Sequence, residues 1–239
     1  MKIIRNERVV KRNTKIGRIA MFGSLAVLAA GMVIAFRYQT QVSISMVTLI
    51  VGFIAAQVGI YYSNRFGRSP RPDELLDTAL KGLDFRFTIY HFSGPVSHML
   101  LSPSGIWALM PYYQRGTITY EKGRWRQRGG GIMYEYLKIF AQESLGRPEV
   151  DVAAAIENIR AFLTKKLPPE SFPVENMPPI RAALVFTNDR ALIDIAEDAN
   201  PPAETVMLKD LKQLVRKNEK GKGLAVERIK VIEDALLSA

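Results

Sequence analysis

Residues 98–116 read HMLLSPSGIWALMPYYQRG, two apolar runs on either side of a Ser-Pro-Ser-Gly turn. Proline and glycine punctuate the chain there, so Val96–Leu101 and Gly105–Met110 are predicted as adjacent strands of a buried hairpin. Upstream, Asp73–Leu83 opens with Pro-Asp-Glu and sets Leu75, Leu76, Ala79, Leu80 and Leu83 on one helical face, and Phe85–Phe92 alternates loosely as a strand. Downstream, Thr117–Arg128 is a second hairpin turning at Lys122-Gly123, and Gly129-Gly130-Gly131 reads as a connector. A short helix over 132–145 is predicted, then a stronger one over Asp151–Leu167 and a loop, Pro168–Pro179, with five of the 13 prolines. Ile180–Thr187 is a continuous apolar run of the kind buried on both faces of a sheet. Short strands at Leu192–Ile195 and Thr205–Leu208 and helices at Lys209–Asn218 and Leu224–Leu237 complete an α/β pattern with flanking helices.

The N-terminal quarter has a different solvent. Ile19–Phe36 contains no charge, and the one strongly polar side chain of Val42–Tyr62 is Gln57. At about 1.5 Å per residue each stretch reaches across a bilayer core, so two transmembrane helices joined at residues 37–41 are predicted. Ala26 with Ala30, Gly52 with Ala56 and Ala55 with Gly59 offer small residues at four-residue spacing for close approach. Of the net charge of +10, residues 1–18 carry +6, Arg37 +1 and residues 63–239 +3. Bases before the first span, and Arg65, Arg68 and Arg71 after the second, place both flanks in the cytoplasm by the positive-inside rule. The expected organisation is a basic cytoplasmic arm (1–18), a membrane hairpin (19–62), a linker (63–72), a cytoplasmic α/β domain (73–208) and C-terminal helices (209–239). With no cysteine in the chain, disulfides, thiolate catalysis and zinc–thiolate sites are excluded.

From Asp73 to Ile195 the sequence resembles the nuclease-related domain (NERD) family, a branch of the restriction-endonuclease-like fold. The pattern of that family is an acid in a first helix, a strand with Asp-His, a Gly-Pro-x-Gly turn, and a strand with Glu-x-Lys closing on Arg-Gly or Lys-Gly. Asp73-Glu74-Leu-Leu, Ser97-His98-Met99-Leu100-Leu101, Ser102-Pro103-Ser104-Gly105-Ile106-Trp107 and Arg115-Gly116 carry the resemblance, with the turn as its most specific part. It implies a mixed sheet flanked by helices and a nuclease frame.

The chemical positions of that frame are replaced. Counting from the turn, the family's Asp falls on Ser97, its Glu on Met110 and its Lys on Tyr112. In the related nucleases the carboxylates hold Mg²⁺, which polarises phosphate and activates water. A thioether is a soft ligand unsuited to Mg²⁺, and one acid kept at Asp73 or Glu74 does not make a metal site. Pro111, lacking an amide hydrogen, favours an edge or bulged position. His91 and His98, the two histidines, are expected as strand residues with one hydrogen-bond partner each.

A binding role survives the loss of the acids. Arg124, Arg126 and Arg128 alternate along one strand, near Arg115, Tyr112, Tyr113, Tyr120 and Trp125, a basic and aromatic set of the kind that neutralises phosphate and stacks bases; a plain solvated hairpin face is the competing reading. Lys209, Lys212, Arg216, Lys217, Lys220 and Lys222 carry the same ambiguity. The expectation is a membrane-anchored, cytoplasmic, catalytically inactive NERD-like module without a cofactor that binds or scaffolds, with nucleic acid as one candidate ligand. Two alternatives stay open: an Mg²⁺-dependent nuclease with ligands relocated to acids such as Glu121, Glu135, Asp151 or Asp189, and a scaffold for anionic lipid or protein.

Overall fold

The centre of the sheet is apolar on both sides, and this decides its surroundings. In the computed structural model, which describes residues 1–38, 40–129, 144–167, 177–219, 224 and 226–237, β3 (His98–Ser102) is buried at every position and β7 (Ile180–Phe186) at its last five. Strands buried on both faces need helices on both faces, and two separate cores form. Tyr90, Met99, Leu101, Ile106, Ala108, Leu184 and Phe186 face α4 (Pro148–Lys166) and α6 (Val226–Leu237). Ile89, Leu100, Trp107, Leu109, Ala183 and Val185 face α3 (Pro72–Ala79) and α5 (Leu211–Asn218). The alternation of these sets along each strand is the period of two that sends neighbouring side chains to opposite faces.

The described residues divide into two units, one holding residues 1–6, 73–129 and those from 144 onward, the other residues 7–72. In the first, a six-stranded mixed sheet runs β1 (Lys2–Arg5), β2 (Thr88–His91), β3, β4 (Gly105–Tyr112), β7 and β9 (Glu204–Met207). The pairs β2–β3 and β3–β4 are antiparallel, whereas β1–β2, β4–β7 and β7–β9 are parallel. A smaller sheet orders β6 (Arg124–Arg128), β5 (Gly116–Glu121) and β8 (Ala191–Ile193). The α/β class, the hairpin at residues 98–112 and the hairpin at 116–128 agree with the sequence reading.

One expectation changes, one holds and one falls outside the described residues. Residues 2–5, expected as the start of a basic arm, are an edge strand of the sheet, and the rest of that arm belongs to the helix α1 (Glu7–Arg37). Pro111 lies within β4 beyond the point where pairing with β3 ends at Ala108, so on that side it occupies a locally unpaired edge, as expected. Tyr112 accepts from the amide of Thr187, directly after β7, so the odd-numbered backbone positions of β4 turn towards β3. The ladder to β3 is paired only up to Ala108, so the missing amide of Pro111 breaks no bond. The helix expected over 132–145 lies outside the described residues as far as 143, as do Glu135, Lys220, Lys222 and most of the proline-rich loop.

In the second unit, α1 and α2 (Val42–Tyr62) are long and apolar enough to cross a membrane. Their contact uses a different small-residue spacing from the one expected. Gly17, Ser24 and Gly31 of α1 and Ser45, Gly52 and Gly59 of α2 are buried, each set repeating every seven residues, whereas Ala26 and Ala30 are exposed. A Cβ on Gly59 would stand 2.9 Å from the Met21 nitrogen, and one on Gly52 2.7 Å from Leu28. A seven-residue repeat keeps one seam facing the partner helix over several turns, which a four-residue pair does not.

The Ser-Pro-Ser-Gly turn depends on its glycine. Gly105 has φ +134°, and a Cβ there would lie 2.3 Å from the Pro179 carbonyl oxygen, which accepts from the Ile106 amide at 2.9 Å. Gly105→Ala is expected to cost at least about 2 kcal/mol, through the forbidden backbone region and that contact. Gly123→Ala, at φ +75° with open space around it, is expected to cost about 1 kcal/mol. Denaturant midpoints of the two variants in detergent should separate accordingly.

Candidate functional site

Two places in the first unit gather charge, and they differ in burial. The first is a corner where β1, β2, β3 and α3 meet. Asp73 and Asp77 lie one turn apart on α3 and so share a face. Asp73 is fully buried, and Arg5, the last residue of β1, places Nε 2.7 Å from its carboxylate. The same guanidinium pairs with Asp77 through Nη2. Asp77 also contacts His91 Nε2 at 2.9 Å, and His91 Nδ1 lies 2.9 Å from Nδ1 of its register partner His98. With both rings neutral, the His91 Nε2–H donates to Asp77 and the His98 Nδ1–H donates to His91, which satisfies every contact.

Phe92 closes this corner at a positive φ of 55°, a conformation that bulky side chains avoid. Its amide donates to the Ser97 carbonyl at 2.8 Å, and its ring stands edge-on to His98 at 4.9 Å. His91 and Asp73 are 0% exposed and His98 5%. The corner holds a relay of charge and hydrogen bonds, and on its outer side Asp77 lines an open pocket with Met1, Ile3, Thr78, Lys81, Gly82 and Leu83. The expectation of one partner for each histidine therefore understated their environment: the two are bonded to each other, and His91 to Asp77 as well.

The positions matched to the family's motif are not brought together: Asp73 lies on the α3 side of the sheet, and Met110 and Tyr112 lie on the α4 side. Ser97 is exposed just before β3. Met110 and Tyr112 are half-buried against the core on the α4 side, and the Tyr112 ring stacks on Phe186 at 5.7 Å. Asp73 is taken by Arg5, and Glu74 is half-buried on the same helix. A thioether, a phenol and a hydroxyl do not fit Mg²⁺, which demands several hard oxygen ligands. Among the described residues no three His, Asp or Glu side chains converge to hold a metal ion. Glu121 pairs with Arg128 at 2.9 Å, while Asp151 and Asp189 are exposed on α4 and after β7.

The second gathering is the outer face of the β5–β6 hairpin. Arg124, Arg126 and Arg128 are exposed, and Trp125 between them is 4% exposed. Arg124 and Arg126 make no ion pair among the described residues, whereas Arg128 is engaged by Glu121. Trp125, expected beside these arginines, points the other way: its Nε1 donates to Thr205 Oγ1 at 3.0 Å and its ring meets Tyr120 edge-on at 4.8 Å. Tyr112 is likewise occupied with Phe186, which leaves Tyr113 as the exposed aromatic of the expected set. Arg115 is half-buried before β5, and its carbonyl accepts from the Gln127 side chain at 2.7 Å. Among the described residues the surface is thus a cationic strand face whose one exposed aromatic of the expected set is Tyr113.

The C-terminal bases divide in the same way. Lys212 and Arg216 donate to the carbonyls of Lys81 and Gly82, the turn that follows α3, so both neutralise a helix end. Elsewhere on this unit, burial pushes the Tyr90 hydroxyl above its ordinary range, with the Glu233 and Asp234 carboxylates acting in the same direction. Hydrogen bonds from Arg86 hold the exposed Asp84 carboxyl below its usual value.

Sequence reasoning missed Arg5 and Asp77. The i, i+4 spacing of Asp73 and Asp77 was available as a signal. Nothing in sequence links either to Arg5, because two apolar helices intervene. Comparison with protein-family models, with curated proteins and with solved structures finds no match to this chain.

Removing the Arg5 side chain leaves a fully buried carboxylate without its counter-charge. Arg5→Ala is expected to destabilise the chain by about 3 kcal/mol. Arg5→Lys, which keeps the charge but lacks the fork that reaches two carboxylates, should fall between Arg5→Ala and the native chain. Chemical denaturation followed by tryptophan fluorescence measures both, since Trp107 and Trp125 are buried in the two different cores.

Proposed function

We propose that the protein is a membrane-anchored, cytoplasmic module of NERD-like fold that binds the phosphodiester backbone of nucleic acid and does not cleave it. The observation that carries the reading is the outward row Arg124, Arg126 and Arg128, on a frame whose acid and lysine positions hold Ser97, Met110 and Tyr112. The order of elements fits the resemblance: an acid-bearing helix α3, strand β3, the Ser-Pro-Ser-Gly turn and strand β4, within a mixed sheet flanked by helices.

The membrane part of the reading rests on connectivity. Residues 1–6 belong to one unit with residues 73–129 and those from 144 onward. A helical pair between them must cross and return, with both ends on one side. The bases of residues 8–18 and Arg65, Arg68 and Arg71 favour the cytoplasmic side for those ends.

The affinity comes from phosphate neutralisation and depends steeply on salt. The test uses the full chain in nanodiscs of zwitterionic lipid with a labelled single-stranded oligonucleotide. The double variant Arg124→Gln with Arg126→Gln should weaken binding about tenfold and reduce the slope of log K against log salt by about 1.4, two phosphate contacts at about 0.7 each. Incubation with Mg²⁺ or Mn²⁺ should leave DNA and RNA intact. Cleavage that disappears on Glu74→Gln would establish the nuclease alternative, and unchanged binding by the double variant would remove the hairpin from the interface.

A further inference from the structure

We infer that the Thr119 hydroxyl, with Arg124 and Arg126, forms a phosphate subsite at the middle of the cationic hairpin face, and that the Glu121–Arg128 ion pair closes over it. The inference rests on the proposed function for the source of the phosphate, a nucleic-acid backbone, and on a separate observation for the subsite itself.

One buried group on this face has no partner. Thr119 is 8% exposed, and its Oγ1 is shielded from solvent without a hydrogen bond. Strand alternation fixes the side on which it lies. Ile118 and Trp125 belong to the core and Tyr120 packs against it, so Thr117, Thr119 and Glu121 of β5 share the outer face with Arg124, Arg126 and Arg128 of β6. In the register of the hairpin Thr119 stands directly opposite Arg126, with Thr117 opposite Arg128 and Glu121 opposite Arg124. A buried hydroxyl left unpaired destabilises the chain and is uncommon in folded proteins.

The neighbours of Thr119 define what is missing. A guanidinium offers only donors, so the arginines opposite and diagonal to Thr119 cannot accept its proton. Glu121, the acid on the same face of β5, is turned to Arg128, whose Nη2 donates to its carboxylate at 2.9 Å. Arg128 sits at the Thr117 end of the hairpin and Glu121 at the turn end, so their ion pair spans the position of Thr119 between them. Both side chains are exposed, and a pair of that kind is held weakly. A ligand that brings an acceptor to the hydroxyl and negative charge to the arginines can therefore take the place of the Glu121 carboxylate. A phosphoryl group supplies both at once. One of its oxygens can accept from Thr119 while others meet the guanidinium forks of Arg124 and Arg126, which make no ion pair among the described residues.

The test uses the full chain in zwitterionic nanodiscs with the labelled single-stranded oligonucleotide, and with inorganic phosphate as a second probe. Thr119→Val, which keeps the shape of the side chain, is expected to weaken oligonucleotide binding about tenfold with no change in the salt slope, because a neutral donor releases no counterion. Its denaturation midpoint should equal or exceed that of the native chain, which separates a lost contact from a lost fold. Thr119→Ser keeps the hydroxyl and should restore binding, and Glu121→Gln should bind about threefold more tightly by releasing Arg128. If Arg124→Gln with Arg126→Gln loses oligonucleotide and Thr119→Val does not, the inference is overturned and the proposed function stands. If neither variant loses oligonucleotide, the proposed function falls and inorganic phosphate decides the subsite. A saturable shift of the Thr119 methyl NMR signal, absent with chloride at equal ionic strength, then upholds the inference, and no shift overturns it.

Discussion

The Arg5 guanidinium between Asp73 and Asp77 is the contact on which the arrangement of the first unit depends. Arg5 ends the strand that the chain forms before it enters the helical pair, and Asp73 begins the segment it forms on return. An ion pair of 2.7 Å between them closes a loop of more than sixty residues that contains both apolar helices. Burying Asp73 completely is tolerable only because a fixed cation meets it, since an isolated carboxylate in that position carries a desolvation cost of several kcal/mol. The same cation holds Asp77, which orients His91, which in turn fixes His98. Four elements are thereby set against one another by polar contacts.

On the proposed NERD-like reading, that corner accounts for a nuclease-like frame without its chemistry. The first-helix acid is present, but its charge is spent on Arg5. The hairpin that would supply the other ligands is intact as a piece of packing: Leu100 and Trp107 face one core, Met99 and Ala108 the other. Met110 and Tyr112 extend the same alternation and bury apolar surface where hard oxygen ligands would be solvated. Among the described residues, exposed cations line the outer face of β6 instead.

Legibility followed periodicity. The apolar run of β7, the β3–β4 hairpin and the two long helices were all visible, because local pattern and tertiary burial agree there. Lys2–Arg5 was not. A four-residue strand carrying two cations, directly followed by a basic helix, has the composition of a solvated arm, and only its parallel pairing with β2 makes it a strand. Trp125 was misplaced for a related reason: the alternation of β6 correctly put the arginines on one face, but sequence did not say that the tryptophan between them packs inward onto Thr205. The seven-residue spacing of Gly17, Ser24 and Gly31 was present in the sequence and overlooked in favour of shorter pairs.

The most direct measurement is amide hydrogen exchange on the full chain in detergent, resolved over residues 2–6. The Lys2 and Asn6 amides donate to the Phe87 and His91 carbonyls at 2.8 and 3.0 Å. Their protection should match that of β2, and it should fall on Arg5→Ala while β7 stays protected. Exchange of these amides at the rate of an unstructured basic tail in the native chain would contradict the account, because it would mean that the sheet ends at β2 and that Asp73 is held by something other than Arg5.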